Sequence, residues 1–195
     1  MTIAASPLAA FALPANPGQR FAAQVGLAIA GSALLWVSAK IKVDLFAVPM
    51  TLQTLALFTL AAAYGMRLGV ATVALYLLEG ALGWPVFAGT PEKGIGLAYM
   101  AGPTGGYLAS YIFAAAIVGY AVERGLGRNP FKLFGAMLAA ETVILTMGFA
   151  WMAVLFGAEK AFAYGVGPFI LTDLVKIGIA ACLVPAIAAL FARKA

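Results

Sequence analysis

The 195-residue sequence predicts an all-α integral membrane protein of six transmembrane helices with both termini in the cytoplasm. Three observations carry that prediction. Apolar residues make up 64%, with 22 Gly besides, while charged residues are only 10%, against about 25% in soluble domains. A 20.0 kDa globule with so few charges could not wet its own surface, so most of the chain faces lipid. Second, the apolar residues are gathered in runs near the ~20 residues that cross a ~30 Å hydrocarbon core, each bounded by charge, Pro or Gly. Third, Lys and Arg gather on one side of the predicted topology.

The first span runs from Phe21 to Ala39, between Arg20 and Lys40, and the second from Pro49 to Tyr64, stopped by Gly65 and Arg67. Leu68–Trp84, Thr104–Val122, Leu133–Phe156 and Pro168–Ala192 follow, the last closed by Arg193 and Lys194. Pro49 and Pro168 suit first-turn positions, where a missing N–H costs nothing. One side then holds Arg20, Arg67, Arg124, Arg128, Lys132, Arg193 and Lys194 against Glu123 alone. The other holds Lys40, Lys42, Lys93 and Lys160, offset by Asp44, Glu92 and Glu159. The more basic side is cytoplasmic by the positive-inside rule. Residues 1–19, with Pro7, Pro14 and Pro17 but no Lys or Arg, read as a tail rather than a secretory signal, and residues 20–195 as one membrane domain.

Composition also excludes chemistries. With no His, the usual general base and commonest metal ligand are gone, and a lone Cys182 makes neither a disulfide nor a metal cluster, so no metal site is expected. Nor is a catalytic site: without His, only Asp173 and Lys176 could act as nucleophile and base. The net charge of +5 is scattered between apolar runs and forms no nucleic-acid stripe. The block Gly102–Tyr107 lacks the spacing and lysine of a phosphate loop.

Ionisable groups inside a span are functional candidates, because lipid penalises them unless they pair or line a cavity. Asp173 and Lys176, three residues apart in the sixth span, share one helix face, about 4.5 Å apart along the axis. They read either as a self-neutralising structural pair or as a pocket floor for a small polar ligand. Glu79 lies at a similar depth in the third span, with structural and binding readings equally open. Glu141, without an obvious partner at its own level, reads as structural or protonated. Thr51 and Gln53 could hydrogen-bond a ligand at the height of Asp173. The Pro85–Pro103 loop and the following Thr104, Gly105, Gly106 and Tyr107 read as a lid or pocket wall, or alternatively as a helix-capping turn. Ala22, Gly26 and Ala30 form a small-residue stripe on the first span, for internal packing or for docking another helix.

Four blocks, Val48-Pro49-Met50-Thr51-Leu52-Gln53-Thr54, Gly83-Trp84-Pro85-Val86-Phe87-Ala88-Gly89, Gly102–Tyr107 and Pro168-Phe169 with Asp173-Leu174-Val175-Lys176, give the chain a specific resemblance to the BioY family. These are the biotin-binding S components of energy-coupling-factor transporters, and the likeness runs from about Phe21 to the C-terminus. The resemblance implies an S-component-like bundle in a prokaryotic cytoplasmic membrane. It would capture biotin from outside without being an enzyme or holding a cofactor of its own, and a coupling subunit and cytoplasmic ATPases, which use the ATP, would complete uptake. It implies ligand-binding roles for Asp173, Lys176, Pro49, Thr51, Gln53 and the Gly102–Tyr107 block, and docking to the coupling subunit through Ala22, Gly26 and Ala30. Phe87, Trp84 and Tyr107 could wall the ligand ring. Thr90-Pro91-Glu92-Lys93 replaces a short Gly-rich stretch of the family, and Glu79 stands where an uncharged residue is expected, so lid contacts and Glu79 lie outside what the resemblance supports. The alternatives are an S component for another vitamin such as thiamine, and a stand-alone secondary transporter.

Overall fold

A computed structural model describes residues 13–43 and 48–192, with side chains to residue 189. Most of the N-terminal tail, Asp44, Arg193 and Lys194 lie outside the described residues. Helix α1 spans Pro17–Lys40; Asn16 caps it by accepting from the Gly18 N–H at 3.0 Å, and Pro17 occupies the first turn. The helix therefore starts within the stretch assigned to the tail. Strands β1 (Lys42–Val43) and β2 (Met50–Thr51) form a short antiparallel ribbon, pairing Lys42 with Thr51 and Val43 with Met50.

Helix α2 spans Gln53–Ala81 and folds back on itself at Gly65, where φ is 78° and ψ −179°, a backbone open essentially to glycine alone. Gln53 Nε2 lies 2.7 Å from Tyr76 Oη, whereas 23 residues of straight helix would hold the two about 35 Å apart. Residues 53–64 and 66–81 are thus two antiparallel arms. Glu123 accepts from the Met66 N–H at 2.9 Å, capping the second arm from the end of a neighbouring helix. The first arm does not begin at Pro49, as the apolar run suggests. Residues 50–51 pair in the ribbon, and Thr51 Oγ1 accepts from the Gln53 N–H at 3.2 Å, so the helix starts four residues later.

A loop carrying the short helix α3 (Gly96–Met100) leads to α4 (Gly105–Glu123). After a 3₁₀ turn at Leu126–Arg128 come α5 (Pro130–Phe156), α6 (Ala158–Gly165) and α7 (Gly167–Ala192). Pro168 sits in the first turn of α7, and Asn129 caps α5 through the N–H groups of Phe131 and Lys132.

Among the described residues, five helices are long and apolar enough to cross a membrane, and the doubling of α2 makes six rods. The apolar windows of α2 and α4 are 56% and 61% buried, against 22% for α1 and 28% for α5, so the hairpin and α4 form the centre of the bundle. Outward-facing Phe21, Phe131, Val154 and Leu171 are exposed, as lipid-facing side chains must be. This is a multi-pass membrane protein. The rods leave two ends, one bearing the Gly65 turn and the other the ribbon and the 82–104 loop.

Candidate ligand pocket

At the ribbon end, the start of α2, one face of α4, the middle of α5 and the first turns of α7 enclose a cleft of about 540 Å³ including its open mouth. Thr51, Gln53, Thr104, Tyr107, Asp173 and Lys176 all line it, brought together from three separate stretches of chain.

The polar floor lies on α7. Lys176 Nζ donates to Asp173 Oδ1 at 2.7 Å, with side chains 12% and 3% exposed, and Thr54 Oγ1 donates to the same oxygen at 3.2 Å. Glu141 of α5 lines the cleft as an electrostatic neighbour of both charges. Among the described residues, the buried side-chain polar atoms left without a hydrogen-bond partner are Thr104 Oγ1 and both carboxyl oxygens of Glu141. All three belong to residues that line this cleft, whereas buried polar atoms are otherwise paired almost without exception.

The walls are aromatic and already hydrogen-bonded. Tyr76 Oη donates to the Val86 carbonyl at 3.1 Å and accepts from Gln53 Nε2, while Gln53 Oε1 accepts from Tyr111 Oη at 3.3 Å. Gln53 therefore has both ends of its amide engaged by the protein and holds Tyr111 in the wall. Tyr107 Oη donates to the Gly165 carbonyl at 2.7 Å, tying α4 to the end of α6 and presenting its ring to the cleft near Phe169, at 6.4 Å between centroids. Val48, Pro49, Leu108, Ile144 and Leu145 complete an apolar lining.

Five residues considered for ligand contact sit elsewhere. Phe87 is fully buried beneath the loop, stacked on Tyr99 at 5.3 Å and edge-on to Tyr76 at 5.4 Å, so its ring builds the support of the wall. A Cβ on Gly105 would come 1.9 Å from the Met100 carbonyl oxygen, and one on Gly106 2.5 Å from that of Met147. These glycines admit the close approach of neighbouring backbone. Glu79 accepts a hydrogen bond from Ser32 Oγ between α1 and α2. Trp84 is 59% exposed on the loop. Ala22, Gly26 and Ala30 lie exposed on α1, with nothing within 4 Å of a Cβ built on Gly26.

Thr54, Tyr99, Tyr111 and Glu141 join the lining without having been singled out as ligand contacts. Tyr111 was findable as the residue one helical turn after Tyr107. Glu141 was obscured by a boundary: α5 begins at Pro130, not Leu133, and three residues lift it by about 4.5 Å, toward the level of Asp173. The loop beside the cleft is anchored by Lys40, whose Nζ donates to the carbonyls of Phe87 at 2.8 Å and Thr90 at 2.9 Å.

Comparison with known proteins accounts for this architecture. A profile described as the BioY family matches residues 10–193. A probable biotin transporter BioY of Pyrococcus horikoshii is 37% identical over 159 residues, covering 82% of this chain and 92% of that protein. The biotin transporter BioY of Thermotoga maritima is 36% identical, over 78% and 88% of the two chains. A crystal structure of the S-component for biotin from an ECF-type ABC transporter superposes with a TM-score of 0.74, covering 90% of this chain and 95% of that one at 18% identity. That likeness speaks for the shared fold. The extent of the family match, with relatives similar over most of both lengths, shows that the chain belongs to the BioY family.

Proposed function

We propose that this chain is the biotin-capturing membrane subunit of an ATP-driven uptake system, binding its ligand at the ribbon end and handing it inward with partner subunits. The observation that carries the reading is the cleft itself. An Asp–Lys pair and buried oxygens without a donor line a cleft whose remaining walls are largely apolar and aromatic. Biotin has that division: a ureido ring with two N–H donors and one carbonyl, fused to an apolar sulfur ring with an aliphatic tail ending in a carboxylate. Asp173 accepts from a ureido N–H, and Lys176 meets the ureido carbonyl or the tail carboxylate.

The ribbon end faces outward in this reading. The Gly65 end carries Arg20, Arg67, Arg124, Arg128 and Lys132, the excess of positive charge expected on the cytoplasmic side of a prokaryotic cell membrane. The exposed Ala22, Gly26 and Ala30 stripe offers a surface for close helix approach by a transmembrane coupling subunit, with cytoplasmic ATPases supplying the energy. Titration of the detergent-purified chain by calorimetry, with thiamine as competitor, tests ligand identity. Saturable biotin binding that thiamine does not displace supports the reading, and absence of biotin binding overturns it. Biotin uptake into liposomes holding this chain alone would instead mark a stand-alone transporter.

A further inference from the structure

Glu141 is only 3% exposed, lines the cleft beside Asp173 and Lys176, and accepts no hydrogen bond from any N–H or hydroxyl donor, its hydrogen-bonding neighbour being the carboxyl of Asp173. Other carboxylates of the bundle have partners: Asp173 has Lys176 and Thr54, Glu79 has Ser32, and Glu123 has the Met66 N–H. A buried carboxyl set against a second carboxyl destabilises the empty protein, and an apolar side chain of similar size would pack there at lower cost. Its place in the lining supplies a reason for keeping it.

We infer that Glu141 is a ligand-facing group of the pocket, whose carboxyl takes one ureido N–H while Asp173 takes the other. The inference rests on the biotin reading and deepens it by adding a second acceptor on a second helix. A cyclic urea presents two N–H groups flanking one carbonyl, and two carboxyl groups with one ammonium beside them supply two acceptors and a donor for those three groups. One carboxylate would leave a ureido donor unpaired in a desolvated site, a loss that polar recognition turns into discrimination. Ligand binding then clamps α5 to α7 through opposite edges of one ring.

The test uses the full chain in detergent with Glu141→Leu and Glu141→Gln, titrated with biotin and with biotin amide, whose tail carries no charge. Thermal unfolding without ligand is measured alongside. Glu141→Leu is expected to unfold at the same or a higher temperature than wild type while binding biotin about 10- to 100-fold more weakly, with a smaller loss for Glu141→Gln. The loss should be the same factor for both ligands, because the ureido end is common to them. Wild-type affinity in both variants overturns the inference while leaving the biotin reading intact. A loss confined to biotin overturns the ureido assignment, since Glu141 would then act on the tail. Collapse of Glu141→Leu with wild-type binding by Glu141→Gln makes the residue structural and also overturns it. Failure of the wild-type chain to bind biotin overturns both proposals.

Discussion

Removing either charge of the Asp173–Lys176 pair separates its structural from its binding contribution. The pair is close, 2.7 Å, and its side chains are 12% and 3% exposed, so only water entering through the cleft could stand in for a lost partner. Asp173→Asn strands the ammonium with neutral acceptors, and Lys176→Met leaves Asp173 supported by Thr54 alone. Truncating one member of a buried charge pair in a binding site costs about 2–5 kcal/mol of affinity, or roughly 30- to 4,000-fold at ~1.4 kcal/mol per decade. Each single variant should also lose stability without ligand, because an uncompensated buried charge remains. The double variant should recover much of that stability, since a neutral pair sits in the buried lining at little cost, yet should not recover binding. Calorimetric titration with biotin and thermal unfolding in detergent, run on the four proteins as a double-mutant cycle, read both quantities. Wild-type affinity in both single variants would refute the assignment of the floor, and recovery of binding in the double variant would reduce the pair to a structural clamp.

Other perturbations follow from particular contacts. Lys40→Met removes the donor shared by the Phe87 and Thr90 carbonyls and should speed biotin dissociation and proteolysis of the 86–94 loop, measured by stopped-flow and limited digestion. Gly65→Ala forces a Cβ into a backbone that only glycine adopts freely, at about 1–3 kcal/mol, and should lower the unfolding temperature without weakening biotin affinity in the protein that remains folded. Gly26→Trp blocks the exposed α1 stripe, 14 residues before the end of α1 that carries the loop anchor. It should leave biotin binding by the isolated chain unchanged while abolishing uptake in cells that supply the coupling subunit and ATPases.

The six rods were legible because lipid leaves the backbone few options: runs long enough to cross must be helical and must end at charge, Pro or Gly. Gly65 announced its turn in that way. The start of α2 did not, because Val48 to Leu52 suits a strand or a helix equally and only pairing with Lys42 and Val43 decides between them. The Asp173–Lys176 pair was readable since a spacing of three fixes a shared helix face. Gln53 was read as polar and near the pocket, but its engagement by Tyr76 and Tyr111 depends on contacts 23 and 58 residues away. Gly105 and Gly106 mark a close approach, and no local pattern says that a carbonyl rather than a ligand makes it. Glu141 failed differently: its level depends on which residue begins α5, and one turn was enough to separate it from its neighbours.

The relay from the Val86 carbonyl through Tyr76 and Gln53 to Tyr111 gives the pocket a mechanical property. It crosses from the 82–104 loop, through both arms of the hairpin, to α4, so a displacement of the loop pulls on the far wall of the cleft. Release of cargo by local loosening would have to break several buried hydrogen bonds in succession. Turning the whole bundle within the bilayer would break none of them. The wiring of one glutamine therefore makes the cleft a rigid cup rather than a hinged one.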